Sequence, residues 1–215
     1  RHKPDIQREN DMTLTLHHLN ASRSQRIVWL LAEMGIPHEI VHYKRNEVTN
    51  LAPPELLKIH PMGKSPLLED GDVVIAETGA IAEYLMGKYD TAFQLHPRPG
   101  SPDFPRYLEW VHAAEGAIFL PGLLQVYFAR VDMTGNPAQA MMAAEREKAA
   151  ATIEAHLSKY PYFAGENFSA ADCLMGFQIL MSNAQGGLEN RPATKAWFEK
   201  MQARPAWQKM MEVGI

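Results

Sequence analysis

The 215-residue chain is 46% apolar and 21% charged, the balance of a folded protein with room for one large domain or two small ones. A net charge of −4 with no basic stripe argues against a polyanionic partner, so no nucleic acid is expected, and no apolar run is long enough for a membrane span. Cys173 is the one cysteine, which rules out an intramolecular disulfide and Cys-x-x-Cys dithiol chemistry and fits a reducing, cytoplasmic setting; no metal site is expected.

Residues 1–11 are polar and aperiodic, without the apolar stretch of a signal peptide, and are expected to be a disordered tail or expression-derived. From Thr13 to Leu19 apolar and polar residues alternate, which predicts a strand. A short polar turn follows, then Ile27, Leu30, Leu31 and Met34 recur at helical spacing up to Gly35. His38–Tyr43 reads as a second strand, and the strand–helix–strand order predicts a right-handed parallel crossover. Pro53–His60 predicts a short helix with prolines at its start. Ser65–Leu68 and Val73–Ala76 flank Asp70-Gly71, a strong hairpin signal. A helix from Glu77 to about Tyr89 completes a compact α/β unit.

The Pro- and Gly-rich stretch 96–102 breaks the composition as a linker does. Everything beyond it has helical spacing. Leu108, Val111 and Ile118 predict one long amphipathic helix, and Met142, Ala149, Ile153 and Leu157 another. The segment 171–181 is apolar nearly all round and belongs at the centre of this half. A last helix, Ala193–Ala203, is expected to stop before Pro205.

Three clusters carry chemistry. Gly63-Lys64-Ser65-Pro66 precedes a strand, where a cis bond would turn the Ser65 backbone outward to pair with an extended peptide; a plain turn is the alternative. Glu77 and Thr78 open a helix, where they cap it or, with the free first-turn amides, grip the ammonium and carboxylate of an amino-acid head group. Asn20-Ala21-Ser22-Arg23-Ser24 lies between strand and helix, where one serine caps the helix and a hydroxyl with the helix dipole could hold a bound thiolate. Lowering a thiol pKa by about two units takes only ~2.7 kcal/mol, within reach of one charge-assisted hydrogen bond and a nearby guanidinium.

The order and spacing of these clusters, with Glu77-Thr78 twelve residues after Ser65, resemble the glutathione-binding domain of the cytosolic glutathione transferases, in a bacterial or fungal branch. The linker, the helical second half and the capping box Ser169–Asp172 behind Phe168 match that family too. The resemblance implies a thioredoxin-like, glutathione-binding domain over residues 12–90, a linker over 91–102 and an all-helical domain over 103–215. It further implies conjugation of glutathione, as co-substrate, to small hydrophobic electrophiles, with glutathione-dependent peroxide reduction beside it, in a detoxifying homodimer. A non-catalytic glutathione-binding or regulatory protein of the same fold is the alternative.

By the same resemblance, Ser65 offers its backbone to the cysteinyl part across Pro66, Glu77 and Thr78 hold the γ-glutamyl end, and Lys64 or one of Lys44 and Arg45 meets the glycine carboxylate. Ser22 is the first candidate for the thiolate donor, with Asn20 and Arg23 as helpers or substitutes. His17 and His18 read as structural, and Cys173 as buried and inert. Trp110, Phe119 and Tyr127 are candidates to line the electrophile pocket, and His112 and Glu115 share a helix face that either lines it or meets solvent or a partner.

Overall fold

The computed structural model describes residues 14–214; the tail expected at residues 1–11 lies outside them. Four strands, β1 (Leu14–Leu19), β2 (His38–Tyr43), β3 (Leu67–Asp70) and β4 (Val73–Ala76), form one sheet in the order β2-β1-β3-β4. β1 and β2 run parallel, joined by the predicted crossover through α1 (Ser24–Met34), while β3 is antiparallel to both β1 and β4. The Asp70-Gly71 hairpin forms as expected, with Gly71 at φ 62°, a value glycine reaches without Cβ strain. The segment at Pro54–Lys58 forms a 3-10 helix rather than an α-helix. α2 (Thr78–Tyr89) follows the hairpin.

The second half is helical throughout: α3 (Phe104–Ala113), α4 (Leu120–Phe128), α5 (Pro137–Leu157), α6 (Ala170–Ala184), α7 (Pro192–Gln202) and α8 (Pro205–Val213). Two predicted boundaries change. The long helix expected through Ile118 is two helices, because Gly116 is a poor helix former and Pro121 cannot accept an interior helical position. α7 does stop before Pro205, but it is not the last helix, because Pro205 opens α8, where its missing N–H costs nothing.

α6 is the central helix, with Ala170–Phe177 buried without a break. Its capping box is formed: Asp172 Oδ2 accepts the Ser169 N–H at 2.9 Å. Gly176 lets α1 approach it, since a Cβ there would sit 2.5 Å from Trp29. Trp29 is fully buried, edge-on to Trp207 of α8 at 4.7 Å and beside Phe168. α1 therefore covers one face of the sheet and simultaneously packs on α6 and α8. The bidentate pair of Arg204 with Glu33, at 2.6 and 2.7 Å, holds the same junction. No helix among the described residues is long and apolar enough to cross a membrane.

Candidate functional site

The three clusters meet where the sheet faces the helical half. A cleft enclosing about 450 Å³, open to solvent, is lined by Arg23, Lys64, Ser65, Pro66, Glu77 and Thr78, with Glu115 from the helical half and Met62 at its side. A larger hollow of about 890 Å³ lies around α4 and α5 and contains none of the candidate site residues.

Each wall has a local cause. The Ser65–Pro66 bond is cis, and Pro66 sits just before β3, where it removes no ladder donor. The Ser65 hydroxyl turns inward, donating to the His17 carbonyl at 2.7 Å and accepting the Leu19 N–H at 3.1 Å. Its side chain thus ties β3 to β1 beneath the cleft. Glu77 precedes α2 with φ 72° and ψ 123°, an uncommon conformation for a residue other than glycine, and is exposed. Thr78 is buried, and its hydroxyl donates to Glu115 Oε1.

Glu115 is the centre of the site's charge network. It lies in the break between α3 and α4, with Oε2 2.7 Å from Arg23 Nη1 and Oε1 2.5 Å from Arg26 Nη1. Although burial opposes ionisation, Arg26 and Arg23 hold the Glu115 carboxyl below its ordinary value. Arg26 has a fully buried side chain and also donates to Gln178 Oε1 at 2.8 Å and to the Ala114 carbonyl. Burial pulls Arg26 down to about 10, against the pull of Glu115, so it stays charged at neutral pH. Both guanidinium groups lie over the Phe119 ring, at 5.2 and 5.1 Å from its centre. Two cations against one carboxylate leave this end of the cleft net positive.

The three thiolate candidates have separate surroundings. Arg23 lines the cleft. Asn20 faces away, its Oδ1 accepting the Arg45 N–H at 3.0 Å. Ser22 is buried against Ser24, with their oxygens 2.7 Å apart, and its Oγ accepts the Ser24 N–H at 3.2 Å, the first amide of α1. Arg45 binds the carbonyls of Asn20, Ala21 and Asn50, so it clamps the turn, in which Ala21 takes φ 47°. Lys44 is exposed.

Two other expectations, on Trp110 and on the pair His112 and Glu115, need correction. Trp110 does not line the cleft: it is 4% exposed, with its ring edge-on to Phe163 and His156 in the helical core. His112 and Glu115 do not act together, because the helix ends between them; His112 meets Glu83 at 3.1 Å on the surface. Tyr127 is exposed on α4. Burial pushes the Cys173 thiol well above its ordinary value, consistent with an inert core residue. The sequence reading missed Arg26; its only signal was a lone cation within the buried face of a helix.

A family model described as "Glutathione S-transferase, N-terminal domain" matches residues 12–87, and one described as "Glutathione S-transferase, C-terminal domain" matches residues 119–205. "Glutathione S-transferase 3" of Schizosaccharomyces pombe is 33% identical over 90% of this chain and 84% of its own. A glutathione S-transferase structure from Actinobacillus pleuropneumoniae superposes with a TM-score of 0.85 at 32% identity, covering 94% of this chain and 92% of that one. A Phanerochaete chrysosporium glutathione transferase solved with oxidized glutathione gives 0.80 at 25% identity, covering 95% and 97%. With its cleft built between a four-stranded α/β half and a helical half, and with these matches spanning both, the chain belongs to the glutathione S-transferase family.

Proposed function

We propose that the cleft seats glutathione as co-substrate and that the enzyme adds its thiolate to small hydrophobic electrophiles. The observation that carries this reading is the convergence of the Ser65 backbone, Glu77, the α2 N-terminus and Arg23 on one cleft. Free amides of the first turn of α2 suit the γ-glutamyl carboxylate, and Glu77 suits its ammonium. An extended cysteinyl segment pairs with the Ser65 backbone, and Lys64 meets the glycine carboxylate. Of Asn20, Ser22 and Arg23, the cleft-lining Arg23 is best placed to face the sulfur, with charge to favour its ionised form. Phe119, beneath the guanidinium groups, and Tyr127 are the apolar surfaces offered to the electrophile.

We assign the glutathione-binding unit to residues 12–90, the linker to 91–102 and the helical unit to 103–215, in a cytoplasmic homodimer that detoxifies electrophiles and reduces peroxides with glutathione.

The test is direct. Wild-type protein should be retained on glutathione resin and turn over an aromatic halide. Arg23→Gln should raise the pKa of the bound thiol and lower turnover at neutral pH roughly tenfold. Failure of calorimetry to detect glutathione uptake by folded protein would overturn the assignment.

A further inference from the structure

Behind the cleft, His18, Ser24 and Ser22 form a buried chain of hydrogen bonds whose direction can be worked out atom by atom. The three residues are 2%, 0% and 7% exposed. Ser24 Oγ lies 2.8 Å from His18 Nδ1 and 2.7 Å from Ser22 Oγ. The backbone carbonyl of Gly214, just past α8, lies near enough to the His18 ring to favour a hydrogen on it. A carbonyl only accepts, and Nδ1 is engaged by Ser24, so Nε2 is the nitrogen left to carry that hydrogen. Burial, with His42 beside it, lowers the His18 pKa to about 4, so the ring is neutral at physiological pH and its Nδ1 has only a lone pair to offer.

The rest follows by counting hydrogens. Ser24 has one hydroxyl hydrogen and two acceptors for it besides Ser22, His18 Nδ1 at 2.8 Å and the Leu19 carbonyl at 3.2 Å; the nearer Nδ1 takes it. Ser24 Oγ is then an acceptor toward its other neighbours, which suits the Leu19 N–H at 3.3 Å. The 2.7 Å contact with Ser22 must have Ser22 as its donor. That uses the single hydrogen Ser22 possesses, while the Ser24 N–H occupies one of its lone pairs.

We propose that His18, acting through Ser24, holds the Ser22 hydrogen inward, so that Ser22 shapes the turn as an acceptor and Arg23, not a serine hydroxyl, meets the sulfur of bound glutathione. His18 and Ser24 are positioning residues in this scheme. The proposal rests on the glutathione reading of the cleft for its second half only; the direction of the chain belongs to the free protein.

Two measurements test it. Long-range nitrogen–proton NMR on isotope-labelled, ligand-free protein should show His18 with its hydrogen on Nε2; a hydrogen on Nδ1 makes His18 the donor to Ser24 and overturns the proposal. Ser24→Ala removes the inward acceptor and releases the Ser22 hydrogen toward the cleft. The bound thiol, titrated by thiolate ultraviolet absorbance, should then ionise more readily, with roughly tenfold more thiolate at a fixed pH below its pKa. Adding Ser22→Ala should cancel the gain. Arg23, Glu115, Lys64 and Glu77, the charged groups facing the cleft, are common to all these variants, so the difference reports the hydroxyl. A Ser24→Ala protein whose bound thiol is harder to ionise, or a gain that survives loss of Ser22, overturns the proposal. If wild-type protein takes up no glutathione, the cleft reading and the sulfur half fail together, and the NMR result still decides the direction of the chain.

Discussion

His18 illustrates how one buried side chain links local chemistry to stability. Folded, its pKa lies at about 4; in an unfolded chain it returns to about 6.5. The folded form therefore takes up its proton later than the unfolded form as pH falls. The stability it contributes is complete above pH 6.5 and is lost as pH drops from 6.5 toward 4. The loss is at most about 3 kcal/mol. A His18→Gln protein should lack this dependence, so the difference in denaturation midpoint between wild type and variant should shrink from pH 7 to pH 5. An unchanged difference would mean that His18 takes up its proton over the same pH range in the folded and the unfolded protein. Arg26 is the opposite case, a buried cation kept charged by a carboxylate and three further polar contacts.

At the scale of elements, helix ends decide the architecture. Asp172 at the start of α6 is fully buried, and its oxygens accept from the Ser169 N–H, the Ser169 hydroxyl, the Phe163 N–H and the Trp197 indole. One carboxylate thus joins the cap of the central helix to the preceding loop and to α7. Asp172→Ala would strand several buried donors together, and should cost about 3–5 kcal/mol, read as a lower denaturant midpoint. A cost near that of an ordinary exposed cap, about 1 kcal/mol, would show that water replaces the carboxylate. The break between α3 and α4 reaches across to the cleft. It carries Glu115 out of the helical half and onto Thr78 and both arginines, so the α/β half and the helical half share one charge network.

Over the whole molecule, α1 is the common support. Its N-terminal end builds the turn that presents Arg23, and its other half is clamped by Trp207 of α8 and by Arg204 just before that helix. Close packing at this junction leaves no room for one more methyl. Gly176→Ala would bring a Cβ to 2.5 Å from Trp29 and 3.2 Å from Trp207, and should destabilise the protein by about 1–3 kcal/mol. Gly87, exposed on α2 with nothing within 4 Å of an added Cβ, provides the contrast: Gly87→Ala should stabilise by about 0.5–1 kcal/mol. Equal effects at the two glycines, measured by thermal unfolding, would refute tight packing between α1 and α6.

Much of this molecule is local and was therefore legible in the chain. Alternation over 14–19, the Asp70-Gly71 turn and the Ser169–Asp172 box each depend on residues a few positions apart, and the parallel pairing of the first two strands followed from a crossover rule. The cleft residues were named for the same reason: Ser65-Pro66 and Glu77-Thr78 are short motifs tied to turns and helix starts. Misreadings arose where one residue has opposite meanings in different settings. Proline ends one helix and begins the next, as at Pro205, and periodicity runs on through a break such as Gly116. What only the tertiary structure decided was which groups share protons and charge. Glu115 is 92 residues from Arg23, and Gly214 is far along the chain from His18, yet each sets what its partner can donate. Burial and hydrogen-bond direction depend on neighbours brought in by folding, and no pattern along the chain encodes them one residue at a time.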